Sequence, residues 1–502
     1  VIVNTLQLAA VVTVIATGLG VVLAWLMART RVPGKRALEL LLPLPVFVSP
    51  FAAGVAWMIL GSEASGLVNI AFRAVFDTEA PLVNVVSFPG LVFTMVLFLT
   101  PYAYLLTLGT LRNMNPALEE ASRVHGSTYL ATMFRVTLPL ALPAITSALL
   151  VVFVVAAEMF SIPSMLGVPA DYYTLPYLIY QSTHHSPPRW SLAAAAGIVL
   201  LLVMVLGVAL QRWSTRRSER FVTIGGKGAG SSVVDIGRWR YAGAAVCWGY
   251  VLLSSVAPIA ALVVGASMRY LTSSFSPRLL TLDNWTRILA SSSFLEALRN
   301  TVLVSMIGPL VAILLGFLLS YLWIRMRAPL RGAAETVSML PLSVPGIVMG
   351  LGLVWAYVST PVYGTLAILV IAYVGRYLPH AIRTFQSTLV QIDPSLDEAS
   401  RVSGAPLGRT LWNVTLPLLR IPALSAWLLL FVLMVRELNV AVMVYTSDTV
   451  VLPVLMWGEI EGGQYGAAAV LAMVEVLIIF ATFLVARRIL RVDLVNAMSA
   501  GR

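Results

Sequence analysis

Long apolar runs without a single charge, separated by short polar islands, set the pattern of this chain. Asn4–Ala28, Ser191–Leu210, Tyr241–Met268 and Asn300–Ile324 contain no Asp, Glu, Lys or Arg. Each reaches the roughly 20 residues that an α-helix, rising about 1.5 Å per residue, needs to cross about 30 Å of hydrocarbon. Thr336–Gly375 is a longer uncharged run, interrupted by Ser359-Thr-Pro-Val-Tyr-Gly364, whose proline and glycine predict a turn between two spans. Further spans are predicted near Leu38–Leu60, Phe88–Leu111, Leu138–Leu166, Pro417–Val444 and Gln464–Ala486, which makes eleven. The pattern predicts an all-α polytopic membrane protein.

The polar islands repeat. Pro116-Ala-Leu-Glu-Glu-Ala-Ser-Arg-Val-His-Gly126, followed by Thr137-Leu-Pro139, returns 278 residues later as Pro394-Ser-Leu-Asp-Glu-Ala-Ser-Arg-Val-Ser-Gly404 and Thr415-Leu-Pro417. Over Pro116–Leu140 against Pro394–Leu418, 14 of 25 positions are identical. The match extends outward: Asn4, Gly20, Arg29, Arg31 and Pro33 align with Asn300, Gly316, Arg325, Arg327 and Pro329, and Pro101 aligns with Pro379. The chain is an internal duplication, with about twenty extra residues around Ser62–Ser87 in the first copy. The copies are placed at 1–212 and 241–502, joined by a linker at 213–240. Tyr241–Met268 has no counterpart before Asn4, so the pattern implies a first helix absent from this sequence. Restoring it would give six plus six spans, both ends cytoplasmic, with copies related by an axis along the membrane normal.

Composition agrees with a lipid solvent: 59% of residues are hydrophobic and 11% charged, against about 25% charged in soluble domains. The net charge of +11 is not a nucleic-acid signature. Of the 33 basic residues, 25 fall in one set of loops and about six in the opposite set, the asymmetry of an inserted protein whose basic loops face the cytoplasm. The single cysteine, Cys247, lies in a predicted span, which excludes a disulfide framework or a cysteine metal site within the chain. Gly225-Gly-Lys-Gly-Ala-Gly-Ser-Ser232 superficially resembles a phosphate-binding loop, but its lysine precedes the later glycines and no strand pattern surrounds it, so it reads as flexible linker.

Each island predicts a short helix, a bend and a second short helix on the cytoplasmic face. Asn115-Pro116 and Asp393-Pro394 are helix-start signals. Carboxylates in the first turn suit the positive end of the helix dipole, and Gly126 and Gly404 suit a left-handed cap. A second helix is expected from Thr128 or Pro406, before Pro139 or Pro417 admits the next span.

Glu120-Ala-Ser…Gly126…Leu138-Pro139 and Glu398-Ala-Ser…Gly404…Leu416-Pro417 resemble the Glu-Ala-Ala…Gly…Leu-Pro loop of permease subunits in binding-protein-dependent ABC importers, departing from it only at Ser122 and Ser400. The resemblance covers both halves and implies two tandem six-helix permease bundles in a bacterial inner membrane. It also implies that each island is a coupling helix seated on an ATP-binding subunit, two copies in all, with ATP hydrolysis there and not on this chain. Glu120, Ala121, Arg123, Gly126 and Pro139, with Glu398, Ala399, Arg401, Gly404 and Pro417, are then the coupling residues. Arg123 and Arg401 have anionic lipid headgroups as an alternative contact. An extracytoplasmic binding protein would deliver the solute. Fused halves resemble the permeases of ferric-iron importers, less often those for thiamine or phosphonate-type solutes. An ion-coupled secondary transporter is the main alternative class.

Glu158 and Glu437 match between copies toward the outer ends of equivalent spans. A carboxylate is costly in lipid, so both are expected to face a bundle interior or water-filled cavity, where oxygen ligands would suit a hard cation; an interhelical hydrogen bond or a position at the membrane surface is the alternative reading. Arg376 and Glu475 are intramembrane without equivalents. Adjacent His184 and His185 read as solvated loop; His125 faces Ser403, and His380 faces Tyr102, at matched positions. No nucleophile–base pair, metal signature or cofactor motif is present, so no enzyme is expected.

Overall fold

A computed structural model describes residues 1–218, 236–270, 272–273, 276–326 and 331–490. Most of the linker with its Gly225–Ser232 segment, Arg327 and Pro329, and the basic tail beyond Leu490 lie outside the described residues. The described chain is helical, with one isolated bridge between Met268 and Leu280. Nine helices among the described residues are long and apolar enough to cross a membrane, or up to eleven if each of two bent pairs is one span. The protein is an all-α polytopic membrane protein.

By packing, the chain forms two compact units, Val1–Thr286 with Gly463–Met473, and Arg287–Gly462 with the residues from Val474 onward. In the first, α1 (Ile2–Arg29) lies along α2 (Phe88–Asn113). The short α3 (Pro116–Val124) then leads to α4 (Leu138–Glu158), which also packs on α1. Next come α5 (Leu175–His184) and α6 (Trp190–Ser218), with α6 against both α4 and α5. The second unit repeats this order. There α7 (Ser292–Ile324) lies along α8 (Leu366–Gln391), α9 (Ser395–Val402) is the island helix, and α10 (Leu416–Val435) packs on α7 and α8. α11 (Leu452–Glu461) follows, and α12 (Tyr465–Leu490) comes next in sequence, its residues up to Met473 grouping with the first unit and the rest with the second.

Several spans expected to be continuous are broken. Lys35–Phe47 meets Pro50–Gly61 at 99°, and Arg331–Ser343 meets Gly346–Tyr357 at 110°. Pro43, Pro45 and Pro50 in one copy, and Pro341 and Pro345 in the other, supply the cause: a proline removes an amide donor and collides with the preceding turn. The spans expected to run to Leu166 and Val444 end as helices at Glu158 and Val435 and continue as short turns.

Packing also groups the chain differently from the repeat. The span Trp239–Ala266, which belongs by sequence to the second copy, sits in the first unit. There the Tyr250 hydroxyl donates to the Leu97 carbonyl at 2.8 Å, Trp248 lies against Gly34, and Cys247 is buried. The extra outer segment of the first copy is organised by buried Asn69, which donates to the Ser62 and Val83 carbonyls and accepts from the Leu82 and Val83 amides.

The crossing of α1 with α2 is set by Gly20, and that of α7 with α8 by its repeat partner Gly316. A Cβ on Gly20 would lie 2.7 Å from the Ala103 Cβ and 2.8 Å from the Tyr104 nitrogen; on Gly316, it would lie 2.7 Å from the Ala381 Cβ. Small residues allow such close approach where lipid gives helices no hydrophobic reason to associate. Gly18, on the same helix as Gly20, has nothing within 4 Å of its would-be Cβ. Gly20→Leu and Gly316→Leu should each destabilise the folded protein by about 1–3 kcal/mol through overpacking. Gly18→Leu should have little effect. Thermal unfolding in detergent distinguishes the three; equal midpoints would refute the close-crossing account.

Candidate functional site

The island helices are built alike. The Asn115 side chain accepts the Ala117 amide at 3.0 Å, and Asp393 accepts the Ser395 amide at 2.9 Å. The Ser395 amide beside it holds the Asp393 carboxyl below its ordinary value, so this carboxylate stays ionised at neutral pH. Each helix ends at a glycine in the left-handed region, Gly126 at φ +85° and Gly404 at φ +84°. The following amides, of Ser127 and Ala405, bond carbonyls five residues back at 3.2 Å. Ser122 and Ser400, where the chain departs from the permease loop it resembles, tie the first short helix to the second through Thr132 at 3.1 Å and Thr410 at 2.9 Å. Widened turns at Met133–Thr137 and Leu411–Thr415 then lead into α4 and α10, with Pro139 and Pro417 in their first turns.

The two faces of each island helix differ. Glu120, Ala121, Glu398 and Ala399 are exposed, as are Val124 at 85% and Val402 at 89%. Arg401 is exposed, while Arg123 is half-buried and donates from Nε to the Glu119 carbonyl at 3.4 Å. The opposite face carries carboxylates that sequence reasoning did not single out, Glu119 and Asp397. Arg29 Nε lies 3.2 Å from Glu119 Oε1, with side-chain exposures of 0% and 4%; Arg325 Nε lies 3.2 Å from Asp397 Oδ2, with 9% and 12%. Thr137 donates to Glu119 at 2.8 Å, and Thr415 to Asp397 at 3.1 Å. The same guanidinium groups donate to the carbonyl just before each helix cap, Met114 at 3.5 Å and Ile392 at 2.7 Å. A signal was present: an arginine and an acid, each matched between copies, form a pair by simple charge balance.

Glu437 sits in the break after α10, 5% exposed. Arg376 Nε approaches it at 3.4 Å, the Tyr377 hydroxyl donates to it, and its Oε1 accepts the Val440 amide at 3.0 Å. That bond lies in the connection between the end of α10 and the short turn Ala441–Val444. Arg376, which has no equivalent in the first copy, is thus a counter-ion of Glu437. Glu158 is half-buried at the last residue of α4, and Glu475 is fully buried. His184 and His185 are exposed, with the His184 ring 4.1 Å from that of Tyr180. His125 and Ser403 do the same local work, each bonding the carbonyl four residues back, at 2.8 and 2.9 Å. Among the described residues no group of three or more His, Cys, Asp or Glu side chains is placed to hold a metal ion.

A family model described as the binding-protein-dependent transport system inner membrane component matches residues 16–220 and again 312–492. The ferric transport system permease protein of Actinobacillus pleuropneumoniae is 28% identical over 491 residues, 96% of this chain and 70% of that protein. The Fe(3+)-transport system permease protein of Haemophilus influenzae is 25% identical over 484 residues, 94% of this chain and 87% of that protein. The molybdenum transport system permease protein of Escherichia coli is 24% identical over 224 residues, 43% of this chain and 92% of that shorter protein.

The neighbouring carboxylates of α3 make a direct contrast. Glu119→Gln leaves the buried Arg29 without its acid, and breaking a buried pair costs about 3–5 kcal/mol. Glu120→Gln alters an exposed group and should cost under about 0.5 kcal/mol. Thermal unfolding of the two variants measures the difference; equal destabilisation would reject the buried ion pair.

Proposed function

The chain belongs to the inner membrane components of binding-protein-dependent transport systems, and from that premise we propose that two copies of an ATP-binding subunit dock on α3 and α9. It is a multi-pass permease of a bacterial inner membrane in an ATP-driven importer. In this proposal the permease copies, 1–212 and 241–502, are joined by the linker 213–240, and ATP is hydrolysed on the docked subunits. The carrying observation is that one surface occurs twice: an exposed carboxylate, an exposed alanine and an exposed valine on a helix whose other face is ion-paired inward. Glu120 and Glu398 are assigned to basic groups of the ATP-binding subunit, and Ala121 and Ala399 leave room for close seating. Arg123 and Arg401 flank the contact. Gly126 and Gly404 hold the bend, and Pro139 and Pro417 fix where the next span starts.

Glu120→Lys combined with Glu398→Lys should leave insertion intact while abolishing uptake and copurification of the ATP-binding subunit. Normal uptake in that double variant rejects the docking assignment.

The solute proposed is ferric iron delivered by an extracytoplasmic binding protein. The names of the relatives that span both halves support it. Glu158 and Glu437 are proposed to border the pathway, with the Arg376–Glu437 pair closing it in the state described here. A hard trivalent cation takes oxygen ligands, so a carboxylate released by Arg376 is a suitable transient contact. Vesicles carrying the whole transporter should accumulate radioactive ferric iron only with the binding protein outside and ATP inside. Glu437→Gln and Glu158→Gln should lower that uptake about tenfold, an effect of about 1.4 kcal/mol. Uptake of a thiamine or phosphonate-type solute in its place overturns the iron assignment, and unchanged iron uptake in both variants removes the carboxylates from the pathway.

A further inference from the structure

We infer that α1 and α7 are connecting rods that carry the movement of the island helices to the segments beyond Glu158 and Glu437. The inference rests on the reading that ATP-binding subunits move α3 and α9. The inner end of each rod is the buried pair already described, Arg29 with Glu119 and Arg325 with Asp397. The outer end carries a second duplicated device. Thr5 Oγ1 accepts the Leu175 amide at 2.8 Å, and Thr301 Oγ1 accepts the Leu452 amide at 2.8 Å. Asn4 Nδ2 donates to the Tyr173 carbonyl at 3.2 Å, and Asn300 Nδ2 donates to the Asp448 and Val450 carbonyls at 3.2 and 3.0 Å. In the first copy the Tyr172 hydroxyl returns a bond to the Asn4 carbonyl at 2.7 Å.

Those bonds fall where the chain needs them. Leu175 and Leu452 are the first residues of α5 and α11, whose cap positions, Thr174 and Val451, give no side-chain cap. A helix start leaves amides without partners, and buried amides must find one. Here the partner comes from a different helix, so the start of α5 is fixed to α1, and that of α11 to α7.

The span between the two ends is the same in both copies. Thr5 to Arg29 and Thr301 to Arg325 are 24 positions apart. At about 1.5 Å per residue that is about 36 Å of continuous helix, the thickness of the hydrocarbon with a margin. Gly20 and Gly316 press each rod against α2 or α8 partway along, which restrains lateral bending. An ion pair at one end, a hydrogen-bonded clamp at the other and a continuous helix between them form a transmission from the basic inner face to the outer connection of each copy. Asn4, Thr5, Asn300 and Thr301 are positioning residues in this scheme. They act through α5 and α11.

The test uses the assembled transporter in vesicles with loaded binding protein, radioactive ferric iron and ATP. The clamp is removed by Thr5→Val with Thr301→Val and Asn4→Leu with Asn300→Leu. The expected result is a complex that retains its ATP-binding subunits and hydrolyses ATP as before, while iron accumulated per ATP falls about tenfold, the scale of mutations along a coupling route. Thr5→Ser with Thr301→Ser, which keeps both acceptors, should restore the ratio. Should the fourfold variant fail to reach the membrane, Thr5→Val alone carries the same comparison. An unchanged ratio overturns the rods, as does an assembled complex in which uptake and hydrolysis fall together or in which the serine pair restores nothing. If the unmodified chain neither binds an ATP-binding subunit nor supports hydrolysis, the docking reading fails instead, and the two failures are told apart by that control.

Discussion

Hydrocarbon offers a backbone no water, so every amide and carbonyl freed by a break in a span must be met by the protein itself. This constraint organises the chain. Its helices are interrupted at matched places, and at several of the interruptions a side chain takes the orphaned group. Thr5 and Thr301 take the first amides of α5 and α11, and Glu437 takes the Val440 amide. Arg29 and Arg325 reach the carbonyls of Met114 and Ile392 at the entrances to the island helices. The threonine and arginine repairs are also mechanical joints, because donor and acceptor sit on different elements. The places where the fold departs from plain helix are therefore the places where one element can pull another.

The two copies are alike at their ends and unlike in their interiors. The clamp, the crossing glycine and the inner ion pair recur with the same geometry and spacing. Within the spans the equivalence lapses: Arg376 beside Glu437 has the buried apolar Phe98 at the matching position of the first copy. A buried arginine is tolerated only beside acids and hydrogen-bond partners, so its presence commits that copy's interior to a charged arrangement around it. Transmission parts are thus held in common, while the parts nearest the proposed pathway have diverged.

What was legible in the sequence follows from this division. Helical spans were readable from their uncharged length, and the duplication from the polar islands, because identity concentrates where many bonds depend on each residue. Gly126 and Gly404 were readable as left-handed caps because little but glycine suits that backbone. The bends within Lys35–Gly61 and Arg331–Tyr357 are not legible from apolar length, which does not tell a straight run from a bent one, although their prolines are visible. Glu119 and Asp397 were passed over for their neighbours Glu120 and Glu398. On a short helix adjacent residues point about 100° apart, and which of the two faces inward depends on where Arg29 and Arg325 arrive, a tertiary fact. The pairing of Arg376 with Glu437, across 61 positions and two helices, is of the same kind.

Magnitudes explain why the inner joint is buried. Free energies that couple distant sites run about 1–3 kcal/mol, and a joint that yields below that range cannot pass them on. An exposed ion pair is worth about 0–1 kcal/mol. Arg112 and Glu39 form such a pair in the same unit, closer at 2.6 Å but with exposures of 39% and 34%, and it would part before it transmitted anything. Arg29 and Glu119 are farther apart yet nearly sealed from solvent, so separating them strands a charge at a cost of about 3–5 kcal/mol. Burial, more than distance, turns a contact between a surface helix and a membrane span into one that moves as a single piece.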